Sequence, residues 1–178
     1  MTIKIIGRWD DKVRKVGSNV WTPGLNGEFA WGYNQIQNTF AELLAAWCRM
    51  ESGYDRIGFM GIGSGLVGWD ATPPAQPYAT ATLTTEYFRK TIPQVDIVFI
   101  DKTTNIPTGG TVSSKIEITV TLASADANGT MREFGLFGGT ATSALDSGEM
   151  INWIIHSRIV KDVSLEIQRK VRLEFQTL

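Results

Sequence analysis

The sequence predicts a mainly β protein: an antiparallel β-sandwich carrying one packed α-helix in its N-terminal half, over about residues 36–50. Three observations point there. Only one segment repeats its apolar residues at helical period, and β-patterned segments follow it with no strand–helix–strand alternation. Residues 163–175 alternate apolar and polar side chains almost without a break. A strand-rich chain without crossover helices closes economically as a sandwich.

Residues 1–33 hold short strand-like pieces, TIKII (2–6) and GEFAWGY (27–33), between turns rich in Gly, Asn and Pro. They read as an N-terminal arm or extra strands, with 34–178 as a single domain. In the helix, Ile36, Phe40, Leu43, Leu44 and Trp47 form one stripe. Thr39 and Glu42 suit a capping box, Asn34 suits a start one turn earlier, and Gly53 suits the stop. Strands are expected at RIGFMGIG (56–63), VDIVFID (95–101), TVSSKIEITVTL (111–122), MREFGLFG (131–138) and EMINWIIHSRI (149–159). DANG (126–129) reads as a hairpin turn between the third and fourth of these, with Gly129 at positive φ. In the last strand Val163, Leu165, Ile167, Val171, Leu173 and Phe175 share a face that only Arg169 interrupts. The long connectors are 64–94 and 138–149.

A chain of 178 residues, 43% of them hydrophobic, builds a core without disulfides or metal, and its one cysteine, Cys48, forms no internal bridge. Seventeen basic side chains balance eighteen acidic ones, with no long block of either sign, so nucleic acid is a poor partner. The N-terminal MTIKIIGRWDD lacks the apolar run of a signal peptide and no stretch is long enough to span a membrane. Synthesis in a cytoplasm is expected.

The stretch GIGSGLVGWDATPPAQP (61–77) invites a phosphate-binding reading. A P-loop needs a lysine after its glycines, and none follows. A dinucleotide turn needs a helix there, and Thr72, Pro73 and Pro74 forbid one. The stretch is better read as a tight turn leaving a strand. His156 is the only histidine and has no second His or Cys to hold zinc with it, so no metal and no cofactor is expected. No serine has a nucleophile-elbow context, and nothing singles out a carboxylate pair among Asp70, Glu86, Asp96, Asp101 and Glu133. The chain reads as non-enzymatic. Its aromatic residues suit a protein interface or a sugar platform, and Trp9, Trp21, Trp31, Trp69 and Tyr78 are the interface candidates.

Two blocks resemble tail-associated structural proteins of bacteriophages. In residues 61–90 the pattern is carried by Gly61, Gly63, Thr72, Pro73, Leu83, Glu86, Arg89 and Lys90. In 118–139 it is carried by Ala127, Asn128, Gly129, Thr130, Arg132, Glu133, Gly135, Leu136 and Phe137. A third block, 150–175, is similar in shape, and the resemblance covers about residues 36–178. It implies a virion part, made in the cytoplasm of a bacterial host, that packs against copies of itself as a trimer or hexamer and against other virion proteins. Tail, baseplate or fibre-attachment roles come first. A glycan- or receptor-binding module at a tail tip and a head decoration or neck protein are the alternatives. The co-occurrence of Arg89, Lys90 and Glu133 in the two blocks leads us to expect that Glu133 pairs with Arg89 or Lys90.

Overall fold

The structure, a computed structural model, describes residues 3–24 and 31–177. In chain order these form β1 (Ile3–Lys15), β2 (Thr22–Pro23), β3 (Gly32–Ile36), α1 (Thr39–Arg49), β4 (Asp55–Gly63) and β5 (Glu86–Thr91). They continue with β6 (Ile97–Phe99), β7 (Lys115–Leu122), β8 (Gly129–Gly139), β9 (Glu149–Lys161) and β10 (Leu165–Thr177). The mainly β, antiparallel character and the single helix match the sequence. The two-sheet arrangement does not appear as such. The strands hydrogen-bond along one path, β5-β4-β8-β9-β3-β1-β10-β7-β6, with β2 attached to β1, and the sheet curls into a half-barrel.

Two short links show why the sheet must curl. β5 and β6 lie at opposite ends of the path yet are joined by residues 92–96 alone, a link that spans at most ~20 Å. Residues 123–128 join β7 in one half to β8 in the other. The turn containing Asp126–Gly129 is therefore not a hairpin: it carries the chain across the core. Gly129 does take positive φ, at 139°, and Ala127 shares that region at 49°.

Alternation decides which side chains enter the core. On β10, Ile167, Val171 and Leu173 are buried. They face inward beside Ile118, Val120 and Leu122 of β7. The N-terminal residues, open in sequence between an arm and extra strands, supply β1, which pairs with β10 from Ile3↔Thr177 to Lys15↔Leu165. Trp9 meets Phe134 of β8 edge-on, with centroids 5.4 Å apart.

α1 closes the core with Phe40 and Leu43, and Phe40 also contacts the rings of Trp47 and Phe175. The expected capping box does not form. The Thr39 hydroxyl donates to the Met150 carbonyl of β9 instead, tying the helix start to the sheet. The helix ends at Arg49, where Met50 turns left-handed and its N–H bonds back onto the last turn; Gly53 adopts positive φ three residues later.

Candidate interaction site

The glycine-rich stretch is architectural. Gly61 and Gly63 lie on β4, on the face opposite the core residue Ile62. A Cβ on Gly61 would sit 2.5 Å from Glu86 Oε1, and one on Gly63 2.5 Å from Glu133 Oε1. Gly65, at φ +55°, leaves room for the Trp69 ring. The missing side chains open a channel for two buried carboxylates.

Glu133 pins residues 64–85, a strap laid over β8 and β9, while Glu86 accepts from Arg89 and from the Asp146 N–H of the 140–148 connector. Glu133 accepts hydrogen bonds from the Thr84 and Thr85 N–H groups (3.2 and 3.0 Å) and from Trp153 Nε1 (2.8 Å). Arg132 holds Asp70 with two bonds, of 2.7 and 2.9 Å, and also donates to Ser64 O. The Gln76 amide donates to Trp153 O (3.1 Å) and accepts from Ile155 N (2.8 Å), bonding to β9 as a strand would. Further along, Tyr78 O accepts from Asn38 N, and Thr80 N donates to Gln37 Oε1. Beneath the strap, Leu83, Phe137, Met150 and Trp153 form a second small core.

The expected pairing of Glu133 with Arg89 or Lys90 is corrected here. Arg89 makes a two-bond pair with Glu86, both at 2.7 Å, with side chains 1% and 0% exposed. It also donates to Ser147 and Thr142, gathering the 140–148 connector, and lies 4.2 Å over the Phe137 ring. Glu86 lies three residues away on the same strand, and Glu133 is already engaged by two backbone N–H groups and an indole. The blocks do meet in space, through Lys90–Asp126 and through the glycines that accommodate Glu86 and Glu133.

On the outer face of the other half, alternation brings charges of both signs together. Lys170 and Arg172 both donate to Glu117, at 2.7 and 2.8 Å. Burial alone would raise the Glu117 carboxyl, but these two hydrogen bonds and the charges behind them outweigh it and hold the group lower. Arg14 pairs with Glu166 and stacks 4.4 Å over Trp21, while Arg172 stacks 4.0 Å over Trp31.

The five aromatic candidates thus occupy different places. Trp9 is a correction: it is core, 5% exposed, because its strand lies inside the sheet rather than in an arm. Trp21 and Trp31 are half-buried stacking platforms for arginines, and Trp69 is half-buried against Trp153 at 6.3 Å. Only Tyr78 stands well out, 65% exposed, and its neighbour across a groove is Tyr33, 73% exposed, which the interface candidates did not include.

The groove exists because β3 changes partners. Its first residues pair with β1 (Gly7↔Asn34, Arg8↔Tyr33, Trp9↔Gly32), and its last pair with β9 (Gln35↔Trp153, Ile36↔Asn152). Past Gly7 the two strands part, so Lys4, Ile5 and Ile6 pair with β10 on one side and, among the described residues, with no strand on the other. The opening, about 270 Å³, is lined by Lys4–Gly7, Tyr33–Ile36 and Tyr78. Arg8 lies over Tyr33, 5.0 Å from its ring centroid, and donates to its hydroxyl at 3.3 Å. A half-paired strand beside two upright tyrosines is a surface on which another backbone can lie.

No protein family, curated protein or solved structure matches this chain. Among the described residues no helix is long and apolar enough to cross a membrane.

Proposed function

We propose that this chain is a non-enzymatic structural subunit of a bacteriophage virion, a tail, baseplate or fibre-attachment component. It packs against copies of itself and against neighbouring tail proteins in the virion. The observation that carries this reading is the groove between β1 and β3, where a strand edge that no described strand pairs and two exposed tyrosines lie together. The resemblance of residues 61–90 and 118–139 to tail-associated proteins supports it. So do the buried Arg89–Glu86 pair and the part-buried Arg132–Asp70 pair, which pin loops to the sheet and stiffen a body that must hold its neighbours in register. In this reading the facing halves of the curled sheet serve as the two layers of a sandwich.

Absolute mass by light scattering on a sizing column, over a hundredfold concentration range, tests the proposal. The wild type is expected as a closed oligomer, trimer or hexamer, and Tyr33→Ala/Tyr78→Ala as a smaller species. A monomer at every concentration overturns the self-packing role. The paired tyrosines also favour a second reading, a glycan-binding groove at a tail tip. That reading predicts tyrosine fluorescence changes on adding host surface oligosaccharide, lost in the same double variant.

A further inference from the structure

Lys161 is the last residue of β9 and is 1% exposed, the most deeply buried lysine among the described residues. Strand register sets it opposite Gly129, so its side chain reaches the turn that crosses from β7 to β8. There Nζ donates to Asn128 Oδ1 at 3.0 Å, to Ser124 O at 3.1 Å and to Asp162 O at 3.5 Å. The Asn128 amide is held on its other side as well, with Nδ2 donating to Ser124 O at 3.0 Å. A primary amine and a carboxamide are thus in contact, each fixed by the backbone of one turn. The same turn supplies a carboxylate, Asp126, positioned by the Ala123 N–H at 2.9 Å and by Lys90 Nζ at 2.6 Å.

We propose that Lys161 and Asn128 form an intramolecular isopeptide bond. The neutral Lys161 Nζ attacks Asn128 Cγ once the amide has turned to present that carbon. The Nζ–Cγ bond forms, the Cγ–Nδ2 bond breaks, and Nδ2 leaves as ammonia. The proton lost by Nζ passes through solvent at the exposed face of the turn to the leaving nitrogen, so atoms and charge balance without any oxidant or co-reactant, and Asp126 acts by holding the turn in place. Burial favours the reactive amine, since it lowers the Lys161 ammonium against the opposing pull of Asp126, Asp162 and Glu166. Asn128 stands at the surface of the turn, which gives the ammonia an exit. The product would lock the end of β9 to the crossing turn between the two halves of the sheet, closing residues 128–161 into a covalent ring.

Intact-mass spectrometry of the purified, folded chain, followed by peptide mapping, decides the question. The expected result is a mass about 17 Da below the sequence value, the loss of one ammonia, and one branched peptide joining residues 128 and 161. Lys161→Arg, which keeps the cation, and Asn128→Ala are both expected at full mass. Asp126→Asn is expected to remain mostly unlinked while still folding, as circular dichroism reads. A wild-type chain at full mass after prolonged incubation at mildly alkaline pH overturns the proposal. So does a loss of 17 Da that survives in Lys161→Arg, because it would then belong to ring closure of Asn128 onto the Gly129 nitrogen.

Discussion

Arg169 Nη2 donates to His156 Nε2 at 2.9 Å inside the core, between the facing halves of the sheet. The other ring nitrogen, Nδ1, lies 2.8 Å from Ser157 O, so it carries the proton and leaves Nε2 as the acceptor. Arg169 also lies 4.2 Å over the Phe134 ring and 4.0 Å from Asp11 across the β1–β10 ladder. The one break in the apolar face of the last strand is thus a fully buried cation whose neighbours are an aromatic ring, a neutral imidazole and a carboxylate.

Removing that cation is expected to be costly. Arg169→Ala leaves the carboxylate of Asp11 without this charge and opens a cavity against Phe134, a loss of about 3–5 kcal/mol. Urea denaturation reads it as a lower midpoint. An unchanged midpoint would show that the cluster adds nothing to the fold.

His156 gives the fold a pH limit. Burial first, and then the Arg169 charge, push its folded pKa well below the ordinary 6.5. Below pH 6.5 the unfolded chain takes up a proton that the folded chain refuses. The stabilisation is therefore complete above that pH and is lost as pH falls toward the depressed folded value, at up to ~1.4 kcal/mol per unit. His156→Gln, which keeps an acceptor for Arg169 but does not titrate, is expected to flatten this slope in denaturant titrations between pH 7 and 5.

At the alkaline end Tyr87 behaves in the opposite sense. Its hydroxyl donates to Ala127 O at 3.0 Å, and burial pushes it up to about 12 despite the Arg169 charge. The contribution is present below pH 10 and lost as pH rises through 12. In the ultraviolet titration Tyr87 should ionise as the last step, and Tyr87→Phe should remove that step.

The strap gives two further measurements. Gly63→Ala drives a methyl into Glu133 and is expected to cost about 1–3 kcal/mol. Asp70→Asn weakens the hold of Arg132, so limited proteolysis should cut within residues 71–82 several-fold faster while the global unfolding midpoint barely moves. Equal cleavage rates would mean that the Gln76 and Tyr78 anchors suffice.

Much of the fold is readable from local pattern, because alternation is a local property. The faces of β7 and β10 and the helix stripe from Phe40 to Trp47 rest on residues within one segment, whereas Ile36, read into that stripe, ends in β3. What pairs with what is not local: β3 dividing itself between β1 and β9, or β7 and β8 separating at the Ala123–Asn128 turn, has no signature within either strand. The site was harder still. Exposure depends on what lies over a side chain, so Trp9 and Tyr33 look alike in sequence yet end in the core and at the surface. Arg169 was visible as an anomaly. Its partners, drawn from β1, β8 and β9, were not.

The pairing of β1 with β10 along their full length also bears on how the protein comes to be made. Residues 3–15 leave the ribosome well before their principal partner, residues 165–177, the last of the described strands to emerge. At 5–20 residues per second that is a wait of ~10–30 s. Through that interval β1 has only its short contacts with β2 and β3, and Trp9, Asp11 and Val13 await their register partners Val171, Arg169 and Ile167. The central ladder can therefore close only once residues 165–177 have emerged, and until then the edge of β1 that faces β10 is open.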